Sequence, residues 1–314
     1  MPAKSTVKYS LIVLVEDKQR DFAQFMRNLY DLLDGRQEPF EIIIMANGTG
    51  GFFRNEFEEF QGLRNRIKAF EFNSKVTQAA CFKAGLKESN GEIIVVCGSY
   101  QQITNDSLID CLDSLDNETD IICPWRQHRV DTSFNKLQSK VFNAIVRKIA
   151  GFNLHDLGCT LKIFRRKVLE ETEFYGNMYQ FLPILAAQKG FKTTEVKCKH
   201  YQQRGKTGLR NLSLLIPRLL DIFTLYFNTR FTRKPLRFFS AIGVLFLAAG
   251  AIIVLGGFAQ KLIVGYPIGG RPILLLALLF MVLGIQAASI GLLGEIIVFA
   301  HGRHRKEYTI EKTI

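Results

Sequence analysis

The side chains best suited to chemistry in this 314-residue chain are one isolated carboxylate, two carboxamides and a run of cations. Asp156 stands before Leu157 and Gly158, where a carboxylate serves either as an acid-base group or as the cap of a turn. Asn47 and Gln102 each carry a donor and an acceptor but no negative charge. Arg126, Arg129, Arg165, Arg166, His200, Arg204 and Lys206, with Arg210 and Arg218 beyond them, are the planar forks and point charges that hold phosphate. Gly205-Lys206-Thr207 has the ending of a phosphate loop, but that motif needs Gly where His200 stands. The six cysteines lie at least twelve residues apart with no C-x-x-C, so buried reduced thiols are expected and zinc ligation is not.

These groups need a scaffold, and the first 125 residues describe one. The runs YSLIVLV, FEIIIMA, RIKAFEF, GEIIVVC and TDIICPW read as strands, and residues 21–33, 78–87 and 105–115 have helical spacing between them. That alternation implies an α/β fold with a mainly parallel sheet covered on both faces. Ligands of such sheets sit at the carboxyl ends of the strands, so the loops after Val15, Ala46 and Cys97 are where chemistry is expected. The Gly48–Gly51 run reads as a strand-end loop.

The last third is different in kind. Residues 238–258 and 273–293 are two uncharged apolar runs, each long enough to cross a ~30 Å hydrocarbon layer as a helix. Cations flank the pair, Arg230, Arg233, Lys234 and Arg237 before it and Arg303, Arg305 and Lys306 after it, which predicts a hairpin with both termini in the cytoplasm. The polar N-terminus has no apolar signal core, so residues 1–200 are expected on the cytoplasmic side of an inner or cytoplasmic membrane. Residues 209–235 interleave Leu, Ile and Phe with cations and read as interfacial helices broken near Pro217. Of the net charge of +12, residues 201–314 hold 14 Lys/Arg against 4 Asp/Glu, whereas residues 1–200 are near neutral. The basic excess therefore points to anionic lipid or phosphate, and no nucleic-acid partner is expected. Small residues in both runs allow close helix approach within one chain, in a homo-oligomer or with a related partner.

The segments HDLGCTLKIFRRKVLE from His155, YGNMYQFLPILA from Tyr175 and EVKCKH from Glu195, with GLLGEI in the second apolar run, resemble the polyprenyl-phosphate glycosyltransferases. These are membrane-anchored, A-fold, family-two enzymes acting on dolichyl or undecaprenyl phosphate. The resemblance implies a nucleotide-sugar donor at the strand ends, Mg²⁺ or Mn²⁺ held by an Asp-x-Asp element, and a lipid phosphate attacking the anomeric carbon with inversion. It puts Asn47 and Gln102 beside the nucleotide and Asp156 near the reaction centre, and it groups Arg126, Arg129, His200, Arg204 and Lys206 around the lipid phosphate.

The donor side departs from the family pattern. Leu14-Val15-Glu16-Asp17-Lys18 replaces the usual first-strand turn, Asn47-Gly48-Thr49 replaces Asp-Gly-Ser, and Gly98-Ser99-Tyr100-Gln101-Gln102 replaces Asp-x-Asp-x-Gln. Tyr179-Gln180 stands for His-Arg. Without the paired carboxylates no tight metal site, and no cofactor, is expected. Lys18 and Lys75 are conceivable stand-ins for the metal's charge. Two readings follow: a weakly active or non-catalytic relative that keeps the lipid-phosphate grip or a partner-binding role, and an active inverting transferase with a metal-independent donor site.

Overall fold

The computed structural model describes residues 7–16, 21–49, 66–116, 118–127, 144, 146–147, 154–176, 178–201, 220, 224, 235–265 and 272–302. They fall into two compact units, one within residues 1–222 and one within 223–307. The expected interfacial helices at 209–235 lie almost wholly outside the described residues.

In the first unit the Ile- and Val-rich runs form β1 (Tyr9–Val15), β2 (Phe40–Ala46) and β4 (Ile93–Gly98), buried nearly end to end. Unbroken apolar strands are what a sheet covered on both faces requires. β3 (Ile67–Glu71) lies outside β2, and β5 (Ile121–Gln127) lies beyond β4. α1 (Phe22–Asp34) turns Phe22, Met26, Leu29 and Leu33 inward as one stripe. α2 (Gln78–Glu88) starts at Thr77, whose hydroxyl accepts the Ala80 N–H, and α3 (Asn105–Asp113) follows β4. α1 and α3 pack on the face carrying Leu11, Val13, Ile42 and Val95. α2 approaches the opposite face so closely that a Cβ at Gly85 would come within 2.7 Å of Ile12 Cγ2.

The seven strands are ordered β3-β2-β1-β4-β6-β5-β7. β6 (Lys162–Arg165) is the exception to parallel pairing, running against both β4 and β5, while β7 (Thr193–Lys199) runs with β5. α4 (Arg166–Glu171), a 3₁₀ turn at Met178–Phe181 and α5 (Leu182–Ala187) cover the neighbouring face. The reversal of β6 corrects one expectation. Its last residue, Arg165, pairs with Ile93 at the start of β4, so Arg165 and Arg166 sit at the wrong end of the sheet to hold a ligand. Arg165 donates to the Thr119 and Asp116 carbonyls, and Arg166 to Gly91 O and Ser89 Oγ. All six cysteines are free and buried.

At that same end, Glu41 is buried and accepts from Ser10 Oγ at 2.7 Å, the Asn90 N–H at 2.5 Å and Lys68 Nζ at 3.0 Å. Burial alone would raise its pKa, but the three donors outweigh burial and hold the carboxyl below the usual carboxylate range. A depressed folded pKa gives stability that is present above the unfolded value and lost as pH falls through the folded one. Glu41→Gln is therefore expected to melt lowest relative to the wild type at neutral pH, with the gap closing in acid, as thermal melts across pH 3–7 would show.

The second unit contains α6 (Pro235–Val264) and α7 (Pro272–Gly302). Both are long and apolar enough to cross a membrane, and only 11% of each apolar window is buried within the protein, unlike the core helices of a soluble domain. They pack through small residues. A Cβ at Gly243 would meet the Gly284 carbonyl at 2.7 Å, and one at Gly250 would meet Met281 and the Ala277 carbonyl. Glu295 Oε2 accepts the Leu236 N–H at 3.4 Å, so this carboxylate caps the start of α6.

Candidate functional site

β1, β2 and β4 run in register, and β5 points the same way because both it and β4 oppose β6. Their carboxyl ends make one rim, and most of the expected site residues among those described lie along it.

Asn47, at the end of β2, is fully buried. Its Nδ2 donates to the Val76 carbonyl at 2.9 Å and its Oδ1 accepts the Val76 N–H at 2.8 Å, a two-point clamp on the loop after β3. The next residue, Gly48, has φ +72°, and a Cβ there would lie 3.1 Å from Lys75 Cβ, so the exposed Lys75 spends its stem covering this turn. Thr49 Oγ1 donates to Glu71 at 2.7 Å. Gln102 is also buried. Its Oε1 accepts from the Thr160 N–H at 2.8 Å, Thr160 Oγ1 at 3.0 Å and Cys159 Sγ, while its Nε2 donates to the Tyr100 hydroxyl at 2.8 Å. The two carboxamides expected at a nucleotide are thus turned inward, holding loops. Buried backbone groups at strand ends must find partners, and these side chains supply them.

Arg126 and Asp156 meet at the end of β5. Arg126 Nε donates to Asp156 Oδ2 at 2.7 Å and Nη2 to Oδ1 at 2.9 Å, and both side chains are almost completely buried. Burial alone would draw the guanidinium pKa down, but the pairing with Asp156 more than offsets it. The structure thus places Arg126, expected at the lipid phosphate, and Asp156, expected near the reaction centre, against one another. Each closes on the other, and the fork that would take a phosphate is filled by a carboxylate.

His200 is joined to the rim through backbone, bridging Ile103, while Tyr201 N–H donates to Gln102 O at 3.0 Å. Arg129, Arg204 and Lys206, like Lys18, Arg210 and Arg218, lie outside the described residues.

Three features escaped sequence reasoning. Lys162 is 2% exposed and donates to the Cys159 carbonyl at 2.6 Å, and burial pushes its ammonium pKa down. Tyr179, which stands where the family has His, donates its hydroxyl to the Thr160 carbonyl at 2.9 Å and packs edge-on against Phe82. His155 stacks on Trp125 at 4.2 Å and pairs through Nδ1 with Glu195 at 2.7 Å, a contact across forty residues that no spacing reveals.

A hard divalent cation needs carboxylate oxygens. Positions 98–100 offer a glycine, a buried serine and a tyrosine hydroxyl that already accepts a hydrogen bond. Among the described residues no three His, Cys, Asp or Glu side chains gather as a metal set. The described donors do not fit the metal that the resemblance implies.

Sheet order, reversed sixth strand and ligand rim together define an A-type nucleotide-sugar glycosyltransferase fold. The solved structure of glucosyl-3-phosphoglycerate synthase from Mycobacterium tuberculosis with UDP matches it at a TM-score of 0.54 and 12% identity, covering 71% of this chain and 80% of that one, a likeness of fold alone. Residues 19–172 match the family Glycosyl transferase family 2. The chain is 24% identical over 311 residues to the undecaprenyl-phosphate 4-deoxy-4-formamido-L-arabinose transferase of Proteus mirabilis, covering 98% of this chain and 94% of the relative. It is 23% identical over 303 residues to the dodecaprenyl-phosphate galacturonate synthase of Rhizobium johnstonii, covering 95% and 90%. Residues 19–172 are thus similar to the family 2 glycosyltransferases, and the chain as a whole is similar to transferases named for polyprenyl phosphates.

Proposed function

We propose that this protein is a membrane-anchored family 2 glycosyltransferase homologue that binds a polyprenyl phosphate, and that its donor rim works without a divalent cation, leaving sugar transfer weak or absent. One observation carries the reading: where a metal would neutralise a leaving diphosphate, residues 98–100 supply no carboxylate, and the nearby Asp156 is closed on Arg126. Preorganised charge of that kind supplies several kcal/mol of transition-state stabilisation, and no described side chain replaces it. The lipid is supported by the relatives, which are named for undecaprenyl and dodecaprenyl phosphate and align with nearly the whole chain. In this reading Arg129, His200, Arg204 and Lys206 take the lipid phosphate, and α6 and α7 form a hairpin with both termini on the cytoplasmic face.

A second reading, inverting transfer from a nucleotide-sugar through a metal-independent site, is favoured by that same full-length match to transferases. It shares the lipid site and differs at the donor.

The lipid claim is tested with the full chain and vesicles holding undecaprenyl phosphate, compared with vesicles of equal charge made with phosphatidylglycerol. Arg204→Ala with Lys206→Ala is expected to weaken binding to undecaprenyl phosphate about tenfold, with a smaller loss on phosphatidylglycerol. Equal losses on both would mean general attraction to anionic headgroups and would contradict the proposal.

A further inference from the structure

The faces of α7 are not equivalent. Ala277, Met281, Gly284, Ala288 and Gly291 recur at alternating spacings of four and three, and contacts with α6 run along this stripe. The opposite stripe, Leu275, Leu279, Val282, Gln286, Ser289 and Leu293, repeats at the same spacing and is exposed along its length. That is the geometry of a second left-handed helix seam on which no described residue packs. Gln286 sets this stripe apart from the other apolar faces of the hairpin. It is the middle residue of the apolar stretch Pro272–Ala300, and its carboxamide makes no hydrogen bond among the described residues. Ser289 beside it is small and already satisfied, its Oγ donating to the Ile285 carbonyl at 2.9 Å.

An amide facing hydrocarbon is costly when unpaired and becomes adhesive when another polar group meets it. A carboxamide is both donor and acceptor, so its simplest complement is another carboxamide at the same membrane depth. A two-fold axis along the membrane normal supplies that automatically, because it brings Gln286 of one copy opposite Gln286 of the next. We propose that α7 is a self-association surface whose occupant is a second copy of this chain, with the Gln286 pair at its centre fixing register. The inference rests on the membrane-hairpin reading above and is independent of whether the enzyme transfers sugar.

The test uses the full chain reconstituted in phospholipid vesicles, with energy transfer between donor- and acceptor-labelled copies. Gln286→Leu is expected to weaken self-association about tenfold, whereas Gln286→Asn retains most of it. In parallel, Val282→Cys and Leu293→Cys should crosslink between copies under mild oxidation, and the off-face controls Leu283→Cys and Leu292→Cys should not. Equal association of wild type and Gln286→Leu, or equal crosslinking from both faces, would overturn the proposal while leaving the hairpin intact. Release of the wild-type chain from membranes by alkaline carbonate would overturn the membrane reading and this inference with it.

Discussion

Asp156→Ala is expected to destabilise the α/β unit by about 3–5 kcal/mol, because it leaves the Arg126 guanidinium buried without its counter-charge. For a domain near 200 residues that corresponds to a drop in Tm of roughly 6–20 °C. Replacing both partners with apolar groups, Arg126→Met with Asp156→Leu, should recover most of the loss, since a buried pair contributes little beyond its own desolvation. Thermal melts of the three variants decide between roles. A freely acting base would show the opposite pattern, with Asp156→Ala folding normally and losing only activity.

The second large effect is a gain. Gly98→Asp with Tyr100→Asp returns two carboxylates to the end of β4, and the doubly substituted protein is expected to acquire Mn²⁺-dependent binding of a nucleotide-sugar, at least about tenfold tighter with the ion than without. The backbone can accept the change with local adjustment. A Cβ at Gly98 would stand 3.3 Å from Thr160 Oγ1, a neighbour that has to give only slightly. Tyr100→Asp does remove the hydroxyl that Gln102 Nε2 donates to. Calorimetry of the variant with and without Mn²⁺ reads the result directly. If the variant stays folded by its melting profile and gains no ion dependence, the residues at positions 98 and 100 do not decide metal binding.

Much of the scaffold is legible in the residues. β1, β2 and β4 announce themselves as unbroken Ile and Val runs, and α6 and α7 as uncharged stretches too long for a domain core. β6 is not legible, because four residues hold only two repeats of a strand's period, too few to stand out from chance, yet its reversal is what sends Arg165 and Arg166 away from the rim. Of the candidate site, the residue types are legible and the pairings are not. That residues 98–100 lack carboxylates follows from residue types alone. That Asn47 clamps Val76, that Gln102 holds Thr160, and that Arg126 closes on Asp156 thirty residues away depends on which loops meet at the rim, and no local pattern encodes such meetings. Polar side chains at strand ends have two uses, pairing buried backbone and meeting ligand, and composition does not distinguish them.

The measurement that bears most directly on the central claim is a titration of the wild-type full chain, in detergent or nanodiscs, with UDP- and GDP-sugars in the presence and absence of Mn²⁺. The account predicts that the ion changes any nucleotide-sugar affinity by less than about twofold. Affinity that rises about tenfold or more with Mn²⁺ would contradict it, because the rim of β4 would then be holding a cation with side chains that have no charge to offer.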